Sequence, residues 1–225
     1  MPDLGLQVFS QGNNFFRLLQ GAGVTIGIAF LSVLISLVLG LIWGIWLTRG
    51  GILVRTIGHL YLEFIRIMPQ LVLLFLVYFG LSKTLHINLS GWTASIIVFS
   101  LWGIAEMGDL VQAAIHSLPP HQSESGLALG LSKNQLYRYI ILPQVFRRLL
   151  PQMINLITRM IKTTSLVVLI GVVEMVKVGQ QIIESNRLAI PKAAFAVYGT
   201  IFLLYFAICF PISKLASYLE THWRD

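Results

Sequence analysis

The chain has 225 residues, of which 56% are hydrophobic and 11% are charged, and its mean hydropathy is +0.79. Soluble domains carry roughly 25% charged residues, so a water-soluble fold could not hide this much apolar surface. The net charge of +7 does not indicate a nucleic-acid-binding protein, because the Lys and Arg residues are scattered among apolar runs and form no cluster on one polar face.

The first residues, from Met1 to Gly5, contain no Lys or Arg and do not resemble a cleavable signal peptide. The next aromatic residues, Phe9, Phe15 and Phe16, stand beside Arg17. This composition predicts a short helix at the membrane interface, with a disordered tail as the alternative.

Five apolar stretches are long enough to cross a membrane as helices, which takes about 20 residues each. They are Gly21–Leu47, Leu60–Leu81, Trp92–Ile115, Val145–Gly171 and Ala193–Leu215. Strands of a membrane β-barrel would be much shorter and would alternate in polarity, so the sequence predicts an all-α integral membrane protein.

The Lys and Arg residues between the spans predict the orientation, because cytoplasmic loops are enriched in them. With the N-terminus outside, the inner residues are Arg49, Arg55, Lys133, Arg138, Arg147, Arg148, Lys214 and Arg224. The outer residues are Arg17, Lys83, Lys177, Arg187 and Lys192. The excess on the inner side favours an outer N-terminus and an inner C-terminus, which agrees with an odd number of spans.

Five spans cannot easily surround a pathway, so a second membrane subunit is expected. Small residues let helices approach closely. In the first span they are Gly21, Gly23, Gly27, Gly40 and Gly44. Each could serve packing within the chain or packing against a second subunit.

The longest polar connection runs from about His116 to Gln144. Pro119-Pro120 predicts the end of one helix, and Ser123-Glu124 predicts the start of another. Apolar residues then recur near helical spacing at Leu127, Leu131, Leu136 and Ile140. Such a helix could dock on another protein or lie on the bilayer surface.

The residues of this connection resemble the signature of binding-protein-dependent ABC permeases, which runs Glu-Ala-Ala, three residues, Gly, nine residues, Ile, any residue, Leu-Pro. The matching positions are Glu124, Gly130, Ile140, Leu142 and Pro143. Ser125 and Gly126 replace the two alanines and keep their small size.

Nearly the whole chain is similar to the polar amino acid permeases of that group. The stretch Tyr61–Leu71 resembles their Tyr-Ile-Glu-x-x-Arg-x-x-Pro, and Lys162–Leu166 resembles their Lys-Asp-Thr-Ser-Leu with Thr163 in place of the acid. In the third span the group usually has Glu, two residues and Arg, where this chain has Asp109 and Gln112, with an additional acid at Glu106.

The resemblance implies a single permease domain, residues 1–225, with the type I ABC importer fold and a coupling segment at about residues 117–143 that includes a cytoplasmic coupling helix. It also implies two partner ATPase subunits that bind ATP and Mg, a second permease subunit, an external solute-binding protein and a bacterial inner membrane location. Because ATP hydrolysis belongs to the partner, this chain is expected to hold no catalytic residue and no cofactor. The residues expected to couple to the ATPase are Glu124, Ser125, Gly126, Gly130 and Pro143.

Ionisable residues inside a membrane are costly unless they are paired or face water. Glu63 and Arg66 are three residues apart and could pair on one helix face. Glu106 and Asp109 repel each other, so they should lie near the membrane interface or face a cation, and Arg159 and Lys162 are such cations. Arg159 could form an ion pair with Glu106 or Asp109, or it could bind the substrate. The substrate-pathway candidates are Arg66, Glu106, Asp109, Arg159, Thr163, Thr164 and Ser165, because a cation, an acid and hydroxyls suit a zwitterionic amino acid.

Two other classes of function remain. A self-sufficient carrier or channel would use the intramembrane acids as ion sites and would need no ATPase. An intramembrane enzyme is disfavoured, because the sequence has no His-Glu-x-x-His pair, no Gly-x-Ser-x-Gly turn and no phosphate loop. The histidines stand singly, so no metal site is expected.

Overall fold

The computed structural model describes residues 4–222, and each regular element in this range is helical. The helices are α1 (Asn14–Arg49), α2 (Ile52–Ile67), α3 (Gln70–Phe75), α4 (Leu81–Leu85), α5 (Gly91–His116), α6 (Pro120–Ala128), α7 (Lys133–Leu136), α8 (Leu142–Thr163), α9 (Met175–Ser185) and α10 (Ala193–His222). The all-α prediction is confirmed. The expectations for Met1 to Asp3 and for Arg224 lie outside the described residues.

Four helices are long and apolar enough to cross a membrane by length and composition: Asn14–Arg49, Gly91–His116, Lys133–Ile170 and Ala193–His222. The third consists of α7 and α8 joined by the π-helical segment Tyr137–Ile141 and extended by the 3-10 segment Thr164–Ile170. Ile52–Ile67 and Gln70–Leu85 together would make a fifth span. The predicted number of five spans therefore agrees with the structure if this bent pair is one span.

The second predicted span is not a straight helix, because α2 and α3 meet at a bend of 99°. Met68, between them, has an extended backbone with φ −70° and ψ 129°. Pro69 explains this, since the proline ring disfavours a helical conformation in the residue before it and supplies no N–H to continue the helix. The prediction of one uninterrupted helix over Leu60–Leu81, which contains Pro69, is therefore wrong.

The predicted interfacial helix before the first span is also wrong. Phe9 ends a 3-10 turn, Leu6–Phe9, whereas Phe15, Phe16 and Arg17 already belong to the first turn of α1. Asn14 fixes this junction, because its Nδ2 donates to the carbonyl oxygen of Val8 at 2.9 Å.

The coupling segment folds into α6 and α7 with a tight turn between them. Pro119 is the N-cap residue of α6, so Ser123-Glu124 lies inside this helix and does not start it as predicted. Gly130 has φ +83°, a left-handed conformation that glycine adopts at little cost. Ser132 then starts α7 with a capping box, in which it exchanges hydrogen bonds with Gln135.

The described chain divides into two compact units of discontinuous segments. Unit 1 contains the residues up to Ser32, together with Gln70–Phe99 and Thr158–Pro211. Unit 2 contains Val33–Pro69, Ser100–Ile157 and the described residues from Ile212 onward. The coupling segment lies entirely in unit 2.

The core of unit 1 forms around α9, which packs its apolar residues against the start of α1 and the first half of α10. Its members are Val8, Leu18, Ala22, Met175, Val178, Ile182, Ile190, Ala193, Ala196, Val197 and Ile201. Gly21 allows the close approach of α1 to the backbone of Met175, because a Cβ atom there would lie 2.8 Å from the Met175 Cα.

Glycines of α1 also permit close packing in unit 2. A Cβ atom at Gly40 would lie 2.5 Å from the Cβ of Met107, and one at Gly44 would lie 2.5 Å from the Cβ of Val111. Both partners are on α5. These glycines therefore serve packing within the chain, whereas Gly23 has no atom within 4 Å of such a Cβ position.

Replacement of Gly44 by alanine should lower the melting temperature of the detergent-solubilised protein, with a free-energy cost of about 1–3 kcal/mol from overpacking against Val111. Gly23→Ala is the matched control in the same helix. It should leave the melting temperature unchanged or raise it, because alanine favours helices over glycine by up to about 1 kcal/mol. An equal effect of both substitutions would contradict the close approach at Gly44.

Candidate functional site

Arg66 links the end of α2 to two acids on α5. Its Nη1 donates to Asp109 Oδ2 at 3.0 Å, and its Nε lies 4.0 Å from Glu106 Oε1. Glu106 and Asp109 share one face of α5 because they are three residues apart. The expected pairing of Arg66 with Glu63 is wrong, since the guanidinium reaches across to α5. The cluster of one cation and two acids carries a formal charge of −1.

Gln112 follows these acids by one helical turn, at the position where the resembling permeases usually have Arg. Gln112 is only 8% exposed, and its Nε2 has no hydrogen-bond partner within residues 4–222. Tyr61 strengthens the same junction, because its hydroxyl donates to the carbonyl oxygen of Leu101 at 2.7 Å. The α2–α5 junction of unit 2 therefore combines a charged cluster with a buried amide donor.

Helix α8 has two contrasting faces. Its apolar residues Val145, Leu149, Met153, Leu156 and Met160 are buried. Exposed polar residues recur at helical spacing on α8, and we call them the polar stripe: Arg148, Gln152, Asn155, Arg159 and Lys162. A stripe with three cations on a candidate span cannot lie against lipid tails at low cost, so it must face water, a ligand or another polar surface.

The three hydroxyl candidates follow Arg159 in unit 1. Thr163 Oγ1 donates to the Arg159 carbonyl, Thr164 Oγ1 to that of Ile161 and Ser165 Oγ to that of Lys162. Because each hydroxyl proton already serves the backbone, these side chains can only accept a hydrogen bond from a ligand. Thr164 is fully buried, whereas Thr163 and Ser165 are partly exposed.

The structure assigns the predicted pathway residues to separate units. Arg66, Glu106 and Asp109 come together in unit 2, and Arg159 with the three hydroxyl residues lies in unit 1. Sequence reasoning names Arg159 as a pathway candidate and Lys162 as a neighbouring cation, but it does not predict the polar stripe as a whole. The spacing of residues 148, 152, 155, 159 and 162 carried that signal.

The coupling segment presents part of α6 and the following turn to the surface. Glu124 and Ser125 are exposed, and Leu129 is 83% exposed. Gly126 faces inward instead, where a Cβ atom would lie 2.6 Å from Leu136 Cδ1. The small residue at this position therefore allows α6 to pack closely against Leu136, while the opposite face of α6 stays exposed.

Two contacts tie the coupling segment region to the long helices of unit 2. The Arg49 guanidinium, at the end of α1, lies 3.9 Å from the centroid of the Tyr137 ring. Arg148 Nη1, near the start of α8, donates to the carbonyl oxygen and the hydroxyl of Ser117 at 2.8 and 2.6 Å. A displacement of the segment would therefore reach these helices directly.

Glu174 is a buried acid that sequence reasoning missed. It is fully buried in unit 1, caps α9 by accepting the Lys177 N–H at 2.9 Å, and accepts a hydrogen bond from Thr25 Oγ1 at 3.2 Å. Burial raises the pKa of this carboxyl, and its hydrogen bonds oppose the shift. Glu174 lies outside the candidate spans, and no apolar period marks it in the sequence.

The described part of the chain holds no group of three His, Cys, Asp or Glu side chains arranged to bind a metal ion. Its site chemistry consists of guanidinium groups, carboxylates, amides and hydroxyls. These groups bind charged and polar solutes by hydrogen bonds and ion pairs.

Comparison with known proteins defines the class of this membrane protein. The family described as binding-protein-dependent transport system inner membrane component matches residues 36–224, so the chain belongs to this family. It is a transport subunit with several membrane-crossing helices.

Individual relatives of this chain include permease proteins for amino acids. The chain is 32% identical to the glutamine transport system permease protein of Escherichia coli K12, over 92% of this chain and 93% of that protein. It is 31% identical to a probable amino-acid permease protein of Bacillus subtilis 168, over 92% and 91%.

Solved structures agree with the family. A crystal structure of an amino acid ABC transporter with histidines matches 92% of this chain and 94% of that chain, with a TM-score of 0.84 and 27% identity. An inward-facing methionine ABC transporter matches with a TM-score of 0.70, covers 91% and 97%, and at 19% identity shares the fold alone. The chain thus has the type I ABC importer permease fold, as the signature residues predicted.

The Arg66–Asp109 ion pair should be measurable by a double-mutant cycle. Arg66→Gln and Asp109→Asn should show a coupling free energy of about 0.5–1 kcal/mol in unfolding experiments, because both side chains are half exposed. The same cycle between Arg66 and Glu63 is the control and should give no coupling. A larger coupling with Glu63 would contradict the observed pairing.

Proposed function

We propose that the chain is the membrane-spanning permease subunit of a bacterial ATP-driven importer for polar amino acids. The polar stripe of α8 is the observation that carries this proposal. A span with buried apolar residues on one face and exposed cations and amides on another is suited to line a water-filled pathway. The names of the relatives, which include glutamine and amino-acid permeases, support this class of substrate.

The substrate pathway would use charges of both signs. Arg159 would attract the carboxylate of an amino acid, and Thr163 and Ser165 would accept hydrogen bonds from its ammonium group. The two carboxylates of the Arg66 cluster would attract a cationic group passing unit 2. These contacts explain how the chain would carry zwitterions without a bound cofactor.

Energy would enter through the coupling segment. The exposed Glu124, Ser125 and Leu129 form a surface on which a cytoplasmic ATPase would dock. Gly126 and Gly130 would shape the segment, and Pro143 lies in the first turn of α8 behind it. When two ATPase subunits close on ATP and Mg, the segment would move as a rigid lever and tilt the helices that Arg49 and Arg148 tie to it.

The complete transporter would contain a second permease subunit, either another copy of this chain or a related one, and an external solute-binding protein. It would lie in the bacterial cytoplasmic membrane with its N-terminus outside and its C-terminus inside. A self-sufficient carrier driven by an ion gradient is the alternative. Membership of a binding-protein-dependent family favours the ATP-driven importer.

Glu124→Lys should abolish co-purification of the permease with its ATPase, because it reverses the charge of an exposed residue at the proposed docking surface. Membrane insertion should be unchanged. Glu184→Lys is the matched control, since it reverses an exposed acid in unit 1. Full recovery of the ATPase with Glu124→Lys would refute the proposed role of the coupling segment as a lever.

Uptake that survives ATP depletion while an ion gradient persists would favour the alternative, a carrier driven by an ion gradient.

Arg159→Ala should lower the initial rate of radiolabelled amino acid uptake about tenfold, equivalent to about 1.4 kcal/mol, through loss of the carboxylate contact. The ATPase rate of the assembled complex should stay within about twofold. Arg187→Ala, which removes an exposed cation on the predicted outer side, should change neither quantity. Unchanged uptake by Arg159→Ala would remove this residue from the pathway.

A further inference from the structure

A cavity of about 610 Å³ with a mixed polar and apolar lining lies in unit 2, between the end of α5, the first turns of α8 and the last turns of α10. Pockets for small molecules usually measure about 300–1,000 Å³, so the cavity has room for an amino acid or a lipid headgroup. The three helix ends around it are those predicted to lie on the cytoplasmic side. Its polar lining residues are Ser117, Arg147, Arg148, Gln152, Asn155 and Glu220.

One cation of the cavity is held in place by the protein. Arg148 donates through Nη1 to both the carbonyl oxygen and the hydroxyl of Ser117. These two hydrogen bonds fix the guanidinium and leave its other N–H groups available for a ligand. Such a preorganised group loses less conformational entropy when it binds an acid.

Two further charged side chains of the cavity have no partner residue within the described chain. The side chains of Arg147 and Glu220 are exposed, and neither forms an ion pair or hydrogen bond with another residue between 4 and 222. Charges of both signs therefore line one cavity without neutralising each other. A simple anion would suit the two arginines but would be repelled by Glu220.

We propose that this cavity binds a zwitterion from the cytoplasmic side. The acid group would lie on Arg147 and Arg148, the ammonium group would lie on Glu220, and Gln152 would offer its amide to the remainder. A free amino acid and the headgroup of phosphatidylethanolamine share this chemistry. If the occupant is the amino acid, the site rests on the proposed function, because it would then hold the delivered product and slow import as the product accumulates.

The test uses the complete permease–ATPase complex in nanodiscs of phosphatidylcholine and phosphatidylglycerol. Binding of L-glutamine, L-arginine and L-glutamate is measured by equilibrium dialysis, without ATP or binding protein. Arg147→Gln and Glu220→Gln should each weaken binding at least about tenfold, because each removes a charge-assisted hydrogen bond. The matched controls Arg187→Gln and Glu184→Gln, exposed charges of unit 1, should stay within about twofold of the unmodified complex.

An N-acetylated ligand gives a sharper test of the ammonium contact. N-acetyl-L-glutamine, which lacks the ammonium group, should bind more weakly than L-glutamine to the unmodified complex. The Glu220→Gln variant should bind N-acetyl-L-glutamine and L-glutamine with equal affinity, because this variant lacks the carboxylate that would bind the ammonium group. If acetylation of the ligand and Glu220→Gln reduced the binding free energy additively, the assignment of Glu220 would be overturned. Melting temperatures of all variants check that the fold is intact.

A second arm identifies the lipid source. Nanodiscs that also contain phosphatidylethanolamine are analysed by native mass spectrometry. Retention of this lipid by the unmodified complex, with loss in Arg147→Gln and Glu220→Gln and no amino acid binding, would assign the cavity to the headgroup. Absence of both ligands would overturn the proposal. Binding-protein-dependent uptake is measured in parallel, so a complex that imports but binds neither ligand would refute only this inference.

Discussion

The solvation requirement of one helix face governs the rest of this protein. Helix α8 buries Val145, Leu149 and Leu156 and exposes a stripe that includes Arg148 and Arg159. In hydrocarbon each such charge would cost about 2.5–3.5 kcal/mol or more. The fold can place this helix in a membrane only if the stripe faces water, a ligand or a polar partner. The proposed transport pathway, or a second permease subunit, would supply these surroundings.

The coupling segment depends on the opposite requirement, close packing. Gly126 brings α6 against Leu136, and the left-handed Gly130 allows the turn that follows. With these small residues the segment is a compact unit, and its outer surface keeps Glu124 and Leu129 exposed. A rigid segment transmits movement, whereas a flexible one would absorb it. Close packing inside the segment therefore occurs together with an exposed outer surface, on which the proposed ATPase would dock.

The candidate site could be predicted from the sequence in its residue types and only partly in its pairings. Intramembrane charge identified Arg66, Glu106 and Asp109, because such residues are costly unless they have a function or a partner. The sequence did not predict their partners, because Arg66 pairs with Glu106 and Asp109 on α5 although Glu63 is nearer in the chain. Glu174 escaped notice because a buried helix cap follows no hydrophobic period.

The sequence by itself determined the membrane class, the number of apolar stretches, the family signature and the presence of helical structure in the polar stretch between the third and fourth spans. Each of these depends on composition or on spacing along one helix, which a linear pattern contains. Only the tertiary structure decided the inward face of Gly126, the partners of Arg66 and the cavity near Arg147. These depend on which helices approach one another, and side-chain contacts between segments distant in sequence leave no periodic trace within either segment.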